Sequence, residues 1–185
     1  MRIIAGSWRG RALAAPAGSA TRPTAERVRQ ALFDMLAHAP WARRADGRAV
    51  LDDAVVLDGF AGTGALGLEA LSRGAANAHF FETDRAALAA LRANIAACGA
   101  QARARVMAAD LCAAPPGPRC DLVFLDPPYG RDLLAPALLR LRATGWLDAA
   151  TLIVAETARA APAPAADILA ERAHGAARLW VWRAG

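Results

Sequence analysis

The sequence predicts an α/β domain built on one mostly parallel sheet, and two observations support this fold class. Short apolar segments alternate with helix-length segments from about residue 54 to 156. Such alternation favours right-handed crossovers and a parallel sheet with helices on both faces. Two more strand-like segments then close the chain, so seven strands are expected. We expect strands near 54–58, 78–82, 104–109, 121–125, 151–156, 168–171 and 178–182, and helices near 64–73, 84–97 and 132–144.

A small hairpin and a helix are predicted before this sheet. Residues 2–5 and 11–13 are strand-like, and the glycine-containing turn between them carries Trp8 at its tip. A loop rich in Pro, Gly and Ser follows, and Thr24 is placed to cap a helix. The apolar face of that helix has helical spacing. It comprises Val28, Ala31, Leu32, Met35, Leu36 and Ala39.

Positive charge is concentrated at the N-terminal end of the chain. All 22 basic residues are arginines. Residues 1–48 hold nine arginines against three acidic residues, a net charge of +6, whereas residues 49–185 have a net charge of −1. Phosphate contacts supply much of the affinity for nucleic acids, so this segment favours a polyanionic partner over a merely solvated surface. The irregular stretch at 40–52 divides a basic extension, 1–48, from a main domain, 49–185.

Composition argues against several classes of protein. No apolar run approaches the ~20 residues that a membrane-spanning helix needs. The N-terminus also lacks the apolar stretch of a signal peptide, so we expect a soluble cytoplasmic protein without membrane contact. The three cysteines lack CxxC spacing and the three histidines are scattered. We therefore expect reduced thiols and no metal site. A monomer is expected, although no sequence feature determines the oligomeric state.

A glycine-rich loop follows the first predicted strand, which ends at Asp58. Glycines allow close backbone approach to a ligand, and the helix that follows supplies unpaired N–H groups. The spacing Gly62-x-Gly64-x-x-Gly67 matches the dinucleotide fingerprint, but Asp58 would repel a diphosphate. S-adenosylmethionine has no phosphate and a cationic sulfur, so the loop favours this cofactor over NAD or a packing role alone. The residues expected to bind the cofactor here are Asp58, Gly59, Phe60, Ala61, Gly62, Thr63 and Gly64.

Acidic residues also follow the next two predicted strands. Glu82 ends the second strand, where a carboxylate can accept hydrogen bonds from both ribose hydroxyls of an adenosine. Asp110 and Leu111 follow the third strand and are expected beside the adenine, where Asp110 would accept the amino hydrogens. The alternatives are a solvated strand end for Glu82 and an ordinary turn residue for Asp110.

The motif Asp126-Pro127-Pro128-Tyr129 ends the fourth predicted strand. Two prolines make a stiff turn without N–H groups, so its carbonyls need outside donors. The side chain of Asp126 and the carbonyl of Pro127 can accept both hydrogens of a base amino group and orient its lone pair, and Asp126 can take the proton. Tyr129 can stack on a base that has been flipped out. The alternative is a rigid turn after a core strand.

Together these motifs resemble the RsmD family of bacterial 16S ribosomal RNA guanine-N2 methyltransferases. The resemblance covers most of residues 1–156 and is carried by 2–11, 22–24, 27–33, 57–67 and 126–129. It implies a class I, Rossmann-like methyltransferase fold with S-adenosyl-L-methionine as methyl donor. The implied substrate is a guanine of 16S rRNA in the 30S subunit or an assembly intermediate. Gly59 departs from the pattern, where a larger apolar residue is expected, and the tail after Leu169 matches poorly.

The resemblance also implies that the basic extension grips RNA. The residues expected to do so are Arg2, Trp8, Arg9, Arg11, Arg22, Thr24, Arg27 and Arg29. Three alternatives stay open. One is an adenine-N6 methyltransferase acting on DNA or RNA, since the same motif serves either amino group. The others are an NAD-dependent oxidoreductase and a non-catalytic RNA-binding module.

Overall fold

The computed structural model describes residues 1–16, 23–44, 46–128 and 130–185, with the backbone alone at 23–25. Within these residues, one seven-stranded sheet has the order β3-β2-β1-β4-β5-β7-β6. Its strands are β1 (Val55–Gly59), β2 (Asn77–Phe81), β3 (Ala104–Met107), β4 (Leu122–Leu125), β5 (Leu152–Ala158), β6 (Ile168–His174) and β7 (Ala177–Arg183). Strands β1 to β5 are parallel, and β7 lies antiparallel between β5 and β6. The predicted sheet is confirmed.

The helices are α1 (Pro23–His38), α2 (Ala65–Ser72), α3 (Arg85–Cys98) and α4 (Leu134–Ala143), with a short 3-10 turn at Leu111–Ala113. Helix α3 begins where the Asp84 side chain accepts the N–H of Ala87 at 2.8 Å. It ends at Gly99, whose φ of 64° is left-handed. Helix α1 begins at Pro23, so Thr24 lies in its first turn and not at the predicted cap position.

The N-terminal hairpin is shorter than predicted. Arg2 and Ala12 form an isolated antiparallel bridge rather than a ladder of several residues. The turn side of the hairpin is fixed to α2, because the buried carboxylate of Glu69 accepts the N–H groups of Ile4 at 2.8 Å and Ala5 at 3.0 Å. A side chain on α2 thus supplies the acceptors that a longer strand would have provided.

Helix α1 buries a face that is rotated from the predicted one. Its buried side chains are Arg29, Leu32, Phe33 and Leu36, which share one face at helical spacing. The ring of Phe33 lies 5.7 Å from the ring of Phe124 in β4, measured between centroids. Aromatic packing on the sheet therefore sets the orientation of α1, and an arginine is carried into the interior with it.

Two apolar clusters cover the two faces of the sheet. One unites Ile3, Leu13 and Phe33 of the N-terminal segment with sheet residues such as Val56 and Phe80. The other includes Leu57, Val123, Trp146 and Trp180. The described residues of the segment before residue 49 therefore share a core with the sheet, and the division at residue 48 stays a prediction. No helix in the described ranges is long and apolar enough to span a bilayer.

Candidate active site

An open pocket of about 660 Å³ lies at the carboxyl ends of the parallel strands. Strands β1 and β4 are neighbours, but the chain continues from them toward opposite edges of the sheet. Such a switch of direction leaves a crevice in which α/β proteins bind ligands. Each parallel strand contributes to the wall, through Phe60 after β1, Glu82 after β2, Asp110 after β3, Asp126 after β4 and Glu156 in β5.

The pocket brings together part of the predicted site. The predicted residues that line it are Phe60, Glu82, Asp110, Leu111, Asp126, Pro127 and Pro128. Those of the glycine-rich loop that do not line it are Asp58, Gly59, Ala61, Gly62, Thr63 and Gly64. Tyr129 lies outside the described residues. The loop therefore contributes one side chain, from Phe60, whose φ of 64° is rare for a residue other than glycine.

Asp58 lies inside the protein and not in the pocket wall. Its side chain is 2% exposed, and Oδ2 accepts the N–H of Gly67 at 2.8 Å. Burial raises the pKa of Asp58 to about 8, the hydrogen bond from Gly67 opposes this shift, and repulsion from Asp126 and Glu82 adds to it. This burial disfavours a direct contact of Asp58 with a cofactor, and its predicted role at the cofactor stays a prediction. In the structure its carboxyl group fixes the start of α2 from behind the loop.

Two glycines near the loop are explained by packing. A Cβ at Gly67 would lie 2.4 Å from the ring of Phe80, and one at Gly59 would lie 2.6 Å from Cδ2 of Leu111. Both distances are too short for carbon atoms to coexist. At Gly59, Leu111 fills the space that the expected larger residue would occupy, so the departure at this position is matched by a neighbour.

Glu82 both lines the pocket and holds the loop. Its Oε2 accepts the N–H of Gly62 at 2.7 Å, and Oε1 accepts those of Thr83 at 2.7 Å and Asp84 at 2.8 Å. These bonds fix the carboxylate at the end of β2 and place it against the turn after β1. Because a carboxylate has about four acceptor sites, a ligand's hydroxyl can still donate to it.

Asp110 and Leu111 form the far wall of the pocket. Asp110 Oδ1 accepts the N–H of Cys112 at 2.9 Å and so caps the 3-10 turn, while Leu111 is buried beneath it. The side chains combine an anionic edge with an apolar floor. A flat heterocycle bearing an amino group fits such a surface.

Asp126 is solvent-accessible through the open pocket although protein atoms surround it on most sides. This crowding, followed by repulsion from Glu156, raises the pKa of Asp126 to about 7. The shift places the group close to neutral pH, where a carboxylate can both accept hydrogen bonds and exchange a proton. Pro127 and Pro128 continue the wall from Asp126.

The lining residues that were not predicted from the sequence are Phe81, Thr83, Asp84, Ala109, Arg131, Leu133 and Glu156. Glu156 is the most informative of these. It lies in β5, which pairs with β4 so that Leu125 is opposite Ala155. Asp126 and Glu156 each come directly after that last pair, and both line the pocket. The fact that a carboxylate ends the fifth predicted strand was the signal that could have found it.

Four of the predicted RNA-contacting arginines are exposed: Arg2, Arg9, Arg11 and Arg27. Two of them also make contacts within the protein. Arg2 Nε lies 3.0 Å from Oε1 of Glu26, with both groups in solvent. Arg11 Nη1 donates to the carbonyl oxygen of Ala97 in α3. Arg22 and the side chain of Thr24 lie outside what the structure describes.

Trp8 is half-buried at the tip of the hairpin, where the guanidinium of Arg103 lies 5.0 Å from its ring centroid. Its backbone N–H donates to Oγ of Ser72 at 3.0 Å. These contacts fix Trp8 against the main domain. Its predicted contact with RNA stays a prediction.

Arg29 is corrected from an RNA contact to an internal residue. It is 5% exposed, its Nη2 donates to the carbonyl oxygen of Arg2 at 2.6 Å, and its Nε lies 3.9 Å from Oε2 of Glu69. Burial lowers the pKa of the Arg29 guanidinium, and the charge of Glu69 opposes that shift. Arg29 therefore ties the hairpin to α2 and is not accessible to a nucleic acid.

A buried asparagine connects the end of the hairpin segment to the glycine-rich loop. Asn94 in α3 is 1% exposed. Its Oδ1 accepts the N–H of Ala14 at 2.7 Å, and its Nδ2 donates to the carbonyl oxygens of Ala14 at 3.0 Å and Thr63 at 2.9 Å. One side chain thus fixes the position of the basic segment relative to the pocket.

The pocket suits a cationic ligand without phosphate. Its wall carries five carboxyl groups and one guanidinium, that of Arg131. In the described parts of the chain, no three His, Cys, Asp or Glu side chains are grouped so as to hold a metal ion. The site can therefore bind an adenosine with a positively charged substituent on one side and a hydrogen-bond donor beside Asp126 on the other.

Comparisons with known proteins agree with this geometry. The profile of the family described as "Conserved hypothetical protein 95" matches residues 1–183. The ribosomal RNA small subunit methyltransferase D of Escherichia coli K12 is 43% identical over 159 residues, covering 85% of this chain and 74% of that protein. The solved structure of yhhF from Escherichia coli superposes with a TM-score of 0.82 at 39% identity, covering 99% of this chain and 97% of that one.

A more distant structure shows the fold alone. It is an RNA methyltransferase from Salinibacter ruber in complex with S-adenosyl-L-homocysteine, with a TM-score of 0.58 and 20% identity. The alignment covers 88% of this chain and 93% of that one. The class I methyltransferase architecture predicted from the sequence is therefore confirmed.

Proposed function

Because the chain belongs to the family described as conserved hypothetical protein 95, the RsmD family, we propose that it is a methyltransferase of small-subunit ribosomal RNA. The observation that carries the proposal is that one pocket is lined by Glu82 and Asp110 as well as by Asp126-Pro127-Pro128. The relatives from Escherichia coli and Haemophilus influenzae are named as ribosomal RNA small subunit methyltransferases. The finer proposal is N2-methylation of one guanine in 16S rRNA.

The residues present fit S-adenosyl-L-methionine as cofactor. Glu82 is positioned to accept the ribose hydroxyls, and Asp110 and Leu111 to receive the adenine. The excess of carboxylates in the wall favours a sulfonium cation and disfavours the diphosphate of NAD. When bound, this cofactor supplies an electrophilic methyl group on a positively charged sulfur.

Asp126 and Pro127 would then hold the amino group of the base that receives the methyl group. An aromatic amino group is a poor nucleophile because its lone pair is delocalised into the ring. The Asp126 carboxylate and the Pro127 carbonyl can accept its two hydrogens and direct the lone pair into the pocket, and Asp126 takes the proton that is released. This arrangement supports guanine N2 and adenine N6 equally, so the adenine-N6 alternative is the one to exclude.

The basic extension is proposed to bind the RNA. Exposed arginines on the hairpin, above all Arg9 and Arg11, lie on a segment that Asn94 fixes to the glycine-rich loop. The partner would be 16S rRNA in the 30S subunit or in an assembly intermediate, in the cytoplasm where subunits assemble. We propose that the protein works as a monomer.

One experiment tests the reaction and its alternatives. Small subunits from a strain lacking this activity are incubated with the protein and S-adenosylmethionine, and the digested RNA is examined by mass spectrometry. N2-methylguanosine is expected at one position. N6-methyladenosine in its place would show that the adenine alternative is right.

The same assay with Asp126→Asn separates catalysis from binding. Loss of a positioned general base typically costs 10²–10⁴-fold in rate, whereas affinity for S-adenosylhomocysteine should change little. A non-catalytic RNA-binding module predicts no methylation by either protein. An oxidoreductase predicts binding of NADH and none of S-adenosylhomocysteine.

A further inference from the structure

Two carboxylates, Asp126 and Glu156, line the part of the pocket where the base to be methylated would lie. The β4–β5 register ends with Leu125 opposite Ala155, and continuing it by one residue would set Asp126 level with Glu156 on strands about 4.8 Å apart. Both residues line the pocket, and the charge of Glu156 acts on Asp126. The Glu156 side chain is 21% exposed and lies 3.1 Å from Nε2 of His174, measured from Oε2. Because a carboxylate only accepts hydrogen bonds, His174 donates from Nε2 and holds the Glu156 side chain in place.

A second pocket of about 450 Å³ adjoins the first. The two pockets share Pro127, Pro128, Leu133 and Glu156, so these residues form the ridge between them. The rest of the second pocket is largely apolar and is formed by α4 and by the Ala/Pro-rich segment around Pro162. A flat base can enter this space with one polar edge turned toward the ridge, while the cofactor occupies the first pocket.

We propose that Glu156 makes the site selective for guanine by accepting the N1–H of the target base. The inference rests on the proposed function and deepens it. The Watson–Crick edge of guanine carries N1–H directly beside the N2 amino group, so two neighbouring carboxylates can receive both donors. Adenine has an unprotonated N1 beside its N6 amino group, and its lone pair would face the negative charge of Glu156. The Asp126 motif alone does not make this distinction.

A carboxylate can only accept hydrogen bonds, and three described neighbours of Glu156 bear on its contact with a base. The His174 imidazole donates to one oxygen, Asp126 is a further acceptor, and Arg131 contributes a positive charge to the same wall. An uncharged glutamine at this place would turn its carbonyl oxygen to His174 and its NH₂ group to the base. That arrangement sets a donor against the N1–H of guanine, whereas it can donate to the unprotonated N1 of adenine or 2-aminopurine.

The test uses a base that differs from guanine at N1 and C6 but keeps the 2-amino group. Small subunits are reconstituted with 16S rRNA in which 2-aminopurine replaces the guanine found to be methylated. The ratio of kcat/KM for guanine over 2-aminopurine is measured for the wild-type protein and for Glu156→Gln. Comparing the two ratios cancels the intrinsic difference in amino-group reactivity. Glu171→Gln, the same change on the exposed face of β6, is the matched control.

The wild-type protein and Glu171→Gln should prefer guanine by roughly 10- to 100-fold, the effect of a charge-assisted hydrogen bond. Glu156→Gln should reduce that preference at least about tenfold with little change in affinity for S-adenosylhomocysteine. An unchanged ratio in a variant that binds S-adenosylhomocysteine overturns the inference while leaving the proposed function intact. Should the variant fail to fold, equal wild-type rates on the two bases overturn it as well. Absence of any wild-type methylation on guanine-containing subunits refutes the proposed function instead.

Discussion

At the scale of single residues, the surroundings of Asp126 determine the pH dependence that we expect of the proposed reaction. Crowding and the charge of Glu156 raise its pKa to about 7. Only the ionised group can take the proton that methylation releases, so the methylation rate should rise with pH through about 7 and then level off. Rates at saturating substrates between pH 5.5 and 9 measure this. A rate that does not change over that range would remove Asp126 as the base.

Asp58 makes a separate prediction about stability. Its pKa is about 8 in the folded protein and near 3.9 in an unfolded chain. The folded state therefore holds a proton that the unfolded state releases between about pH 4 and 8, so this group's contribution to stability is full at low pH and is lost as pH rises through 8. Replacing Asp58 by Asn should flatten the fall in unfolding free energy across that window.

Denaturant unfolding at pH 5 and pH 8 measures the effect of Asp58. Asp126 titrates in the same direction, so the comparison is made in an Asp126→Asn background, where the remaining pH dependence belongs largely to Asp58. If Asp58→Asn leaves the difference in unfolding free energy between pH 5 and pH 8 unchanged, Asp58 is ionised in the folded protein. The raised pKa assigned to it is then wrong.

At the scale of elements, the hairpin arginines should determine salt dependence. Arg9 and Arg11 are exposed on the N-terminal hairpin. Replacing both by Gln should weaken binding to small-subunit RNA and reduce the slope of log K against log salt by about 1 to 2, since each phosphate contact contributes roughly 0.7 to 0.9. Arg172→Gln, an exposed change in β6, is the control. Equal slopes for all three proteins would show that the hairpin does not contact phosphates.

Asn94 is expected to couple the hairpin segment to the cofactor loop. Asn94→Asp would set a carboxylate oxygen against the carbonyls of Ala14 and Thr63, which now accept from Nδ2. Breaking a buried hydrogen-bond network costs about 1–3 kcal/mol. We expect lower stability and roughly tenfold weaker binding of S-adenosylhomocysteine, a change that corresponds to about 1.4 kcal/mol. Calorimetric titration measures this, and full affinity in the folded variant would contradict the coupling.

The elements of the sheet were predictable because their patterns are local. Runs such as Leu122–Leu125 are apolar throughout, as buried parallel strands are, and each ends at a polar or glycine residue. The rotation of α1 was not predictable, because the contact of Phe33 with Phe124 joins residues far apart in sequence. The same holds for Arg29, whose burial follows from that rotation and from Glu69 on another helix.

The candidate site was predictable where strand order alone decides proximity. Glu82, Asp110 and Asp126 follow three successive parallel strands, so their meeting at one sheet edge follows from the fold. The burial of Asp58 depends on the path of the loop after it, which the glycine pattern does not specify. Glu156 ends the fifth predicted strand, so the same reasoning could have placed it at this edge; that it lies beside Asp126 follows from the pairing of β4 with β5.

At the scale of the whole molecule, charge is divided between two surfaces. The pocket is acidic, whereas the N-terminal hairpin is basic. An anionic RNA is therefore attracted to the hairpin and repelled from the pocket, which stays available for a cationic cofactor. The second pocket is largely apolar, so it could receive a base but not the charged phosphates attached to that nucleotide, which would stay outside.

The hairpin, α1 and the sheet should unfold as one unit, although we divide the chain at residue 48. Glu69 is fully buried in α2 and accepts hydrogen bonds from Ile4, Ala5 and Arg73, with Arg29 at 3.9 Å. Disrupting a buried charge network of this kind costs about 3–5 kcal/mol, so Glu69→Gln should lower the midpoint of one cooperative transition. Arg48→Gln, which breaks an exposed pair with Asp46, should leave that midpoint almost unchanged.

Denaturant unfolding followed by tryptophan fluorescence and by far-UV circular dichroism distinguishes the two possibilities. Trp8 lies in the hairpin and Trp146, Trp180 and Trp182 lie in the cluster on the opposite face of the sheet, so fluorescence reports on both regions. In each of the two proteins, wild type and Glu69→Gln, the fluorescence curve and the circular dichroism curve should coincide. The reason is that the first cluster joins Phe33 of α1 to Phe124 of β4 without a break. An early fluorescence change in Glu69→Gln, with the main transition left at its wild-type midpoint, would instead mean that the extension unfolds by itself. The boundary at residue 48 would then be a true boundary between domains.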